Sequence, residues 1–178
     1  MNLGDAPAPR RASPEYLAAL LARHGSALEL FARQYTTSPE DCVQEAFIEL
    51  ALQPQLPSNV LAWLYRVVRN RALNMARSQR RRRKREIATV QDDPDVWFRQ
   101  EPHSELDAEL LSDALAELDE EIREVVVARI WGGLSFEEIA DIVETSISSA
   151  HRRFHSGLDG LRERLGLSWL VRKGSTPR

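Results

Sequence analysis

Apolar positions recur at steps of three and four along most of the chain, the spacing of helices that bury one face. From Pro14 onward, Leu17, Leu20, Leu21, Leu28, Phe31 and Tyr35 keep this step and predict two short helices broken near Gly25. Ser38 followed by Pro39 marks a helix start, with serine as N-cap and proline at the first helical position. That helix turns Val43, Phe47 and Leu50 inward and stops before Gln53-Pro54. Ser58 is expected to cap a longer helix, running from about Asn59 to the end of an arginine run. Its buried stripe is Leu61, Leu64, Val68, Ala72 and Met75, while Asn70, Asn74, Arg77 and Arg81 share another face. No strand pattern interrupts this half.

The periodicity fails at residues 91–103, an acidic stretch with two prolines, and resumes beyond it. Ser104 is the expected cap of a helix bearing Leu111, Leu115 and Leu118. The next helix carries Ile122, Val125, Val126 and Ile130 and ends at Gly132-Gly133. Ser135 and Glu138 have the spacing of a capping box ahead of Ile139, Ala140 and Val143. After a turn at Glu144-Thr145-Ser146, a last helix places Ile147, Ala150, Phe154, Leu158, Leu161 and Leu165 inward. The expected organisation is all-α, two small helical domains joined by an acidic flexible linker. Residues 1–13 form a disordered arm, 14–90 the first domain, 91–103 the linker, 104–170 the second domain and 171–178 a tail. Trp169 and Leu170 are expected to dock on the second domain.

Composition narrows the class. Of 178 residues, 43% are hydrophobic and 29% charged, which suits a soluble globular chain rather than a disordered one. No apolar run approaches the ~20 residues of a membrane span, and the N-terminus lacks the apolar core of a secretory signal. A single cysteine, Cys42, excludes an internal disulfide and a cysteine zinc cluster and fits a reducing, cytoplasmic setting. The net charge of −3 hides a split: residues 1–90 carry 14 Lys and Arg against 8 Asp and Glu, and residues 91–178 carry 10 against 19. Two units with different partners follow, one of them a candidate for nucleic acid.

The strongest local signal is residues 135–164, a capped short helix, a tight turn and a second helix, which is helix-turn-helix geometry. Its outward positions Ser148, Ser149, His151, Arg152, Arg153, His155 and Ser156 suit base edges and phosphates. His151 and His155 stand four apart, a spacing that can hold a metal, but no third ligand lies nearby, so no metal or cofactor is assigned. The run Arg80 to Arg85 continues the helix that exposes Asn70, Asn74 and Arg77, a gradation from amide to basic side chains along one face. Trp63 and Tyr65 are expected to plug the core, and Cys42 to face it. Asp41, Gln44 and Glu45 form a polar stripe opposite Val43 and Phe47. No phosphate loop, nucleophile elbow or zinc-protease motif occurs, so no enzymatic activity is expected.

Asp41-Cys42-Val43-Gln44-Glu45-Ala46-Phe47 resembles the D-x-V-Q-E-x-F stretch of sigma region 2. Ala62-Trp63-Leu64-Tyr65-Arg66-Val67-Val68-Arg69-Asn70 resembles the helix that follows it in that region. Arg123 to Val126 with Leu134 to Ala140 is similar to sigma region 4. Over residues 14–165 the chain resembles a bacterial sigma factor of the extracytoplasmic-function class, reduced to regions 2 and 4. The resemblance implies docking on core RNA polymerase through Asp41, Gln44 and Glu45. It implies reading and opening of the −10 element by the loop 52–59 and the helix beyond it, with Asn59, Asn70, Arg71, Asn74, Arg77, Arg80 and Arg81 as the DNA-binding residues. The −35 element would fall to the seven outward residues from Ser148 to Ser156, and an anti-sigma factor is a further partner that the class admits. Two positions depart from the family pattern: Glu144 stands where glycine is usual in the turn, and Ser148-Ser149 replaces a Gly-Thr pair. The competing reading is a helix-turn-helix regulator that never joins polymerase, which would have no need of the block Asp41–Phe47.

Overall fold

Ser13 accepts a hydrogen bond from the Tyr16 amide (3.2 Å) and Pro14 occupies the first turn, and together they start α1, Pro14–Ala32. The computed structural model describes residues 11–86 and 105–166, with side chains from 11 to 82 and from 110 to 166. Ser104, the linker 91–103, Trp169 and Leu170 lie outside the described residues. Among those described, every regular element is a helix, and the chain divides into two compact units, Met1–Val90 and Gln91–Arg178.

In the first unit α1 is one continuous helix and not the expected pair. Gly25 is buried inside it, and a Cβ there would stand 3.2 Å from Leu21 Cδ1, so the leucine lies over the glycine instead of a break. All four buried residues of α1 lie at or after Gly25. The first half runs past the core, which leaves Leu21 exposed where it was expected inside. Helix α2 spans Pro39–Leu52 with Val43, Phe47 and Leu50 buried as expected. Ser38 sits at the cap position without a side-chain cap bond, its own amide donating instead to Thr36 Oγ1 at 3.2 Å. Helix α3, Val60–Glu86, is capped by Asn59 and not Ser58: Asn59 Oδ1 accepts from the Ala62 amide at 3.0 Å. Leu64, Tyr65, Val68 and Ala72 pack inward, and Tyr65 meets Phe31 edge to face at 5.0 Å. Trp63 is only half-buried.

Cys42 faces this core, its thiol donating to Met75 Sδ at 3.3 Å. Burial, aided by the Glu45 and Asp41 carboxylates, pushes the thiol up to about 11 from an ordinary 9.0. The unfolded thiol ionises first, so this contribution to stability is intact below about pH 9 and is lost as pH rises toward 11. The urea midpoint of the first unit is expected to fall across that window, and Cys42→Ala to flatten this part of the fall.

The second unit comprises α4 (Glu105–Ala116), α5 (Glu120–Ile130), α6 (Phe136–Ile142) and α7 (Ile147–Arg164). Arg123 Nη1 donates to the carbonyls of Ala116 (2.9 Å) and Leu118 (3.4 Å), satisfying orphan acceptors where α4 ends. Arg164 reaches Glu117 Oε2 at 2.6 Å and ties the far end of α7 to the same corner. The capping box of α6 forms as the spacing predicts: the Ser135 amide donates to Glu138 Oε2 (2.5 Å) and the Glu138 amide to Ser135 Oγ (3.2 Å). Ile130 and Ile147, expected inside, are exposed; each is the terminal residue of its helix, where side chains outrun the packed turns. Ile142, not singled out from the sequence, is buried.

The α6–α7 turn fixes how α7 is presented. Glu144 takes φ of 56°, the left-handed conformation that glycine adopts freely, and the Thr145 amide closes the turn on the Ala140 carbonyl at 2.9 Å. Glu144→Gly is therefore expected to raise the stability of this unit by roughly 1 kcal/mol, measured as a higher urea midpoint at unchanged slope.

Candidate nucleic-acid interface

Three surfaces carry the candidate residues. On α2, Asp41, Gln44 and Glu45 are all exposed, side by side on the face opposite Val43 and Phe47. The same face continues to Ile48 and Leu52, which are 60% and 75% exposed. These two apolar residues were missed from the sequence, although steps of four from Gln44 reach both. Their exposure extends a charged stripe into an apolar one, the composition of a protein-contact surface rather than of a solvated face.

On α3, Asn70, Asn74, Arg77, Arg80 and Arg81 are the candidates for DNA, and the helix that carries them is roughly 40 Å long at 1.5 Å per residue. Two residues expected beside them are placed otherwise. Arg71 turns toward α2, where Nη1 pairs with Glu45 and Nη2 with Glu49 at 2.6 Å. The guanidinium is held above its ordinary range, first by the hydrogen bond to Glu49 and further by the charge of Glu45. Arg71 is thus a strut between α2 and α3, its charge balanced by Glu45 and Glu49 of α2. Asn59 spends its side-chain oxygen on the α3 cap.

On α7, Ser146 accepts from the Ser149 amide at 3.1 Å and caps the helix, and its own hydroxyl donates to Ser149 Oγ at 2.9 Å. Ser149 is consequently locked into the cap, with Arg152 Nη2 3.4 Å from its hydroxyl. Arg153 pairs with Glu121 of α5 and braces the helix from behind. Ser148, His151, Arg152, His155 and Ser156 remain on the exposed face. His151 lies against Phe136 at 4.9 Å between ring centroids, and Phe136 in turn carries the Arg129 guanidinium 4.8 Å above its ring. The outward face of α7 is polar, its N-terminus is capped and exposed, and its back is braced against α5 through Arg153 and Glu121. Among the described residues no group of three or more His, Cys, Asp or Glu is placed to hold a metal ion, and no helix is long and apolar enough to cross a membrane.

Two family models match the chain, one in each unit. Residues 20–82 match the family model for Sigma-70 region 2 and residues 108–159 that for Sigma-70, region 4. Over 134 residues the chain is 32% identical to the ECF RNA polymerase sigma factor SigE of Mycolicibacterium smegmatis, covering 71% of this chain and 51% of that protein. It therefore spans about half the length of that relative. Over 151 residues it is 28% identical to the ECF RNA polymerase sigma factor SigL of Mycobacterium tuberculosis, covering 81% of this chain and 85% of the other. Among solved structures, the sigma factor RpoE of Bartonella quintana, in complex with the anti-sigma factor NepR, superposes with a TM-score of 0.71 at 22% identity, over 88% of this chain and 99% of the other. CnrH, in complex with the cytosolic domain of CnrY, gives 0.55 at 24% identity, over 88% and 92%. At these identities the structural likeness speaks to fold.

Proposed function

The chain belongs to the extracytoplasmic-function class of sigma-70 factors, with regions 2 and 4, and from that premise we propose that it binds core RNA polymerase and directs promoter-specific transcription initiation. The observation that carries this reading is the pairing of a region 2 unit bearing the exposed stripe Asp41, Gln44 and Glu45 with a region 4 unit presenting α7. A helix-turn-helix regulator that works without polymerase would need only the second, and is disfavoured for that reason.

In this proposal residues 14–90 form the domain that docks and opens DNA, and 104–170 the domain that reads the −35 element. Asp41, Gln44 and Glu45 meet polymerase, with Ile48 and Leu52 adding apolar area to the same contact. Asn70 and Asn74 contact bases of the −10 element, where amides pair bidentately with adenine, while Arg77, Arg80 and Arg81 hold phosphates. Unstacking a base costs a few kcal/mol, and the contacts made along α3 are what recover it. The first turns of α7 enter the major groove with Ser148, His151, Arg152, His155 and Ser156 toward the bases. RpoE and CnrH were each solved with a bound protein, in the first case one named as an anti-sigma factor; an anti-sigma factor is the corresponding candidate partner here. The site of action is the cytoplasm, where polymerase works, and no catalytic step is assigned to the chain itself.

The test is binding of fluorescently labelled protein to sigma-free bacterial core RNA polymerase. Wild type is expected to bind tightly, and the Asp41→Ala/Glu45→Ala variant at least about tenfold more weakly, since losing charged interface groups costs roughly 1.4 kcal/mol or more. Failure of folded wild type to bind would overturn the proposal.

A further inference from the structure

On the same face of α7, two of the residues turned toward the bases in that reading also form a pair with a geometry of its own. His151 and His155 lie one turn apart, both exposed, with their Nε2 atoms 3.2 Å from each other and ring centroids at 4.3 Å. Each ring also touches a phenylalanine, His151 against Phe136 at 4.9 Å and His155 beside Phe154 at 5.6 Å. Two imidazole nitrogens that bind one tetrahedral zinc ion at about 2.0–2.1 Å stand roughly 3.3 Å apart, whereas a square-planar or octahedral pair stands about 2.9 Å apart. The observed separation is that of a tetrahedral edge. From the sequence only the four-residue spacing of two ligands can be counted; the structure adds that the two Nε2 atoms stand 3.2 Å apart and that both side chains are open to solvent.

We propose that His151 and His155 form a bidentate site for a divalent, zinc-like ion, whose two outer positions are filled by water. Cationic neighbours do not crowd the pair: Arg153 is paired with Glu121, and Arg152 reaches toward Ser149 on the N-terminal side. Two rings carried one turn apart on a single helix are brought together before the ion arrives, which favours affinity beyond that of two free histidines. An ion seated there occupies both Nε2 atoms and makes the surface of α7 dependent on metal. The effect of that dependence on promoter choice rests on the function proposed above; the site itself does not.

The test uses the full chain without DNA or polymerase: zinc sulfate is titrated in competition with a chromophoric zinc chelator, and histidine side-chain NMR signals are followed in parallel. One equivalent of zinc is expected to shift the His151 and His155 signals together while those of His24 and His103 hold. His151→Gln and His155→Gln are each expected to weaken binding by at least about tenfold, and His24→Gln to leave it unchanged. Because His155 makes only peripheral ring contacts, its variant keeps the fold, checked by circular dichroism, and decides the matter if His151→Gln does not fold. Equal zinc affinity in wild type and His155→Gln would overturn the proposal, leaving the short Nε2 separation as a hydrogen bond between the two rings.

Discussion

Gly157→Ala is expected to destabilise the region 4 unit by about 2 kcal/mol, although the substitution places the better helix former in the middle of a helix. The propensity gain is roughly 1 kcal/mol. Against it stands the contact: a Cβ at this position would overlap Val126 Cγ2 and lie 2.9 Å from Ile122 Cγ2. Val126 is fully buried in α5 and has nowhere to withdraw, so α7 must move outward. Overpacking of this kind costs about 1–3 kcal/mol, more where the neighbour is rigid. The result is read as a drop in the urea midpoint and in Tm, on the order of 10 °C for a unit this small. Gly160→Ala is the control. Its added carbon would meet the guanidinium end of Arg164 at 2.9 Å and Leu118 Cδ2 at 3.0 Å. The first is the far end of a flexible side chain, so a change near zero is expected. Since α7 is set on α5 through Gly157, and with α7 proposed to read the −35 element, the Gly157→Ala variant is expected to bind −35 DNA more weakly as well; that loss should track the change in stability across further substitutions at this position.

What could be read in advance divides by the range of the interaction. The capping box of Ser135 and Glu138, the buried stripe of α2, the middle of the α3 stripe (Leu64, Val68 and Ala72, though Leu61 and Met75 at its ends are only half-buried) and the turn at Glu144 depend on residues within a few positions of one another, and spacing alone reveals them. Gly157 leaves no such mark, because its role is set by Val126 and Ile122 on another helix. Arg71 is the functional counterpart. Next to Asn70 and ahead of Arg77, it reads as one more basic residue on the DNA face, but its partners Glu45 and Glu49 lie 26 and 22 residues earlier. The continuous path of α1 through Gly25 was hidden for a related reason: whether a helical glycine breaks the chain depends on what covers it. Ile48 and Leu52 were legible in phase, yet phase does not say which face lacks a partner.

That reassignment of Arg71 gives the second large effect. Binding of single-stranded −10 DNA by the polymerase-bound protein is expected to lose on the order of 100-fold at about 0.15 M salt in the triple variant Arg77→Ala/Arg80→Ala/Arg81→Ala. Each phosphate contact removed should shallow the slope of log K against log salt by about 0.7, so the triple variant should lose about 2 from it. Arg71→Ala removes a positive charge in the same way and should leave that slope where it is, because its guanidinium is already neutralised by Glu45 and Glu49. Its cost falls instead on the fold: two partly exposed ion pairs between α2 and α3 are lost, together worth about 1 kcal/mol in the urea midpoint. It also frees Glu45, one of the residues assigned to polymerase, to leave the position in which Arg71 holds it, so core-polymerase affinity should drop while the salt dependence of DNA binding does not. A slope change of equal size in Arg71→Ala and Arg77→Ala single variants would return Arg71 to the DNA face. A difference between them separates the two surfaces of one helix pair, with α2 turned to protein and α3 to nucleic acid and a single arginine fixing the angle between their tasks.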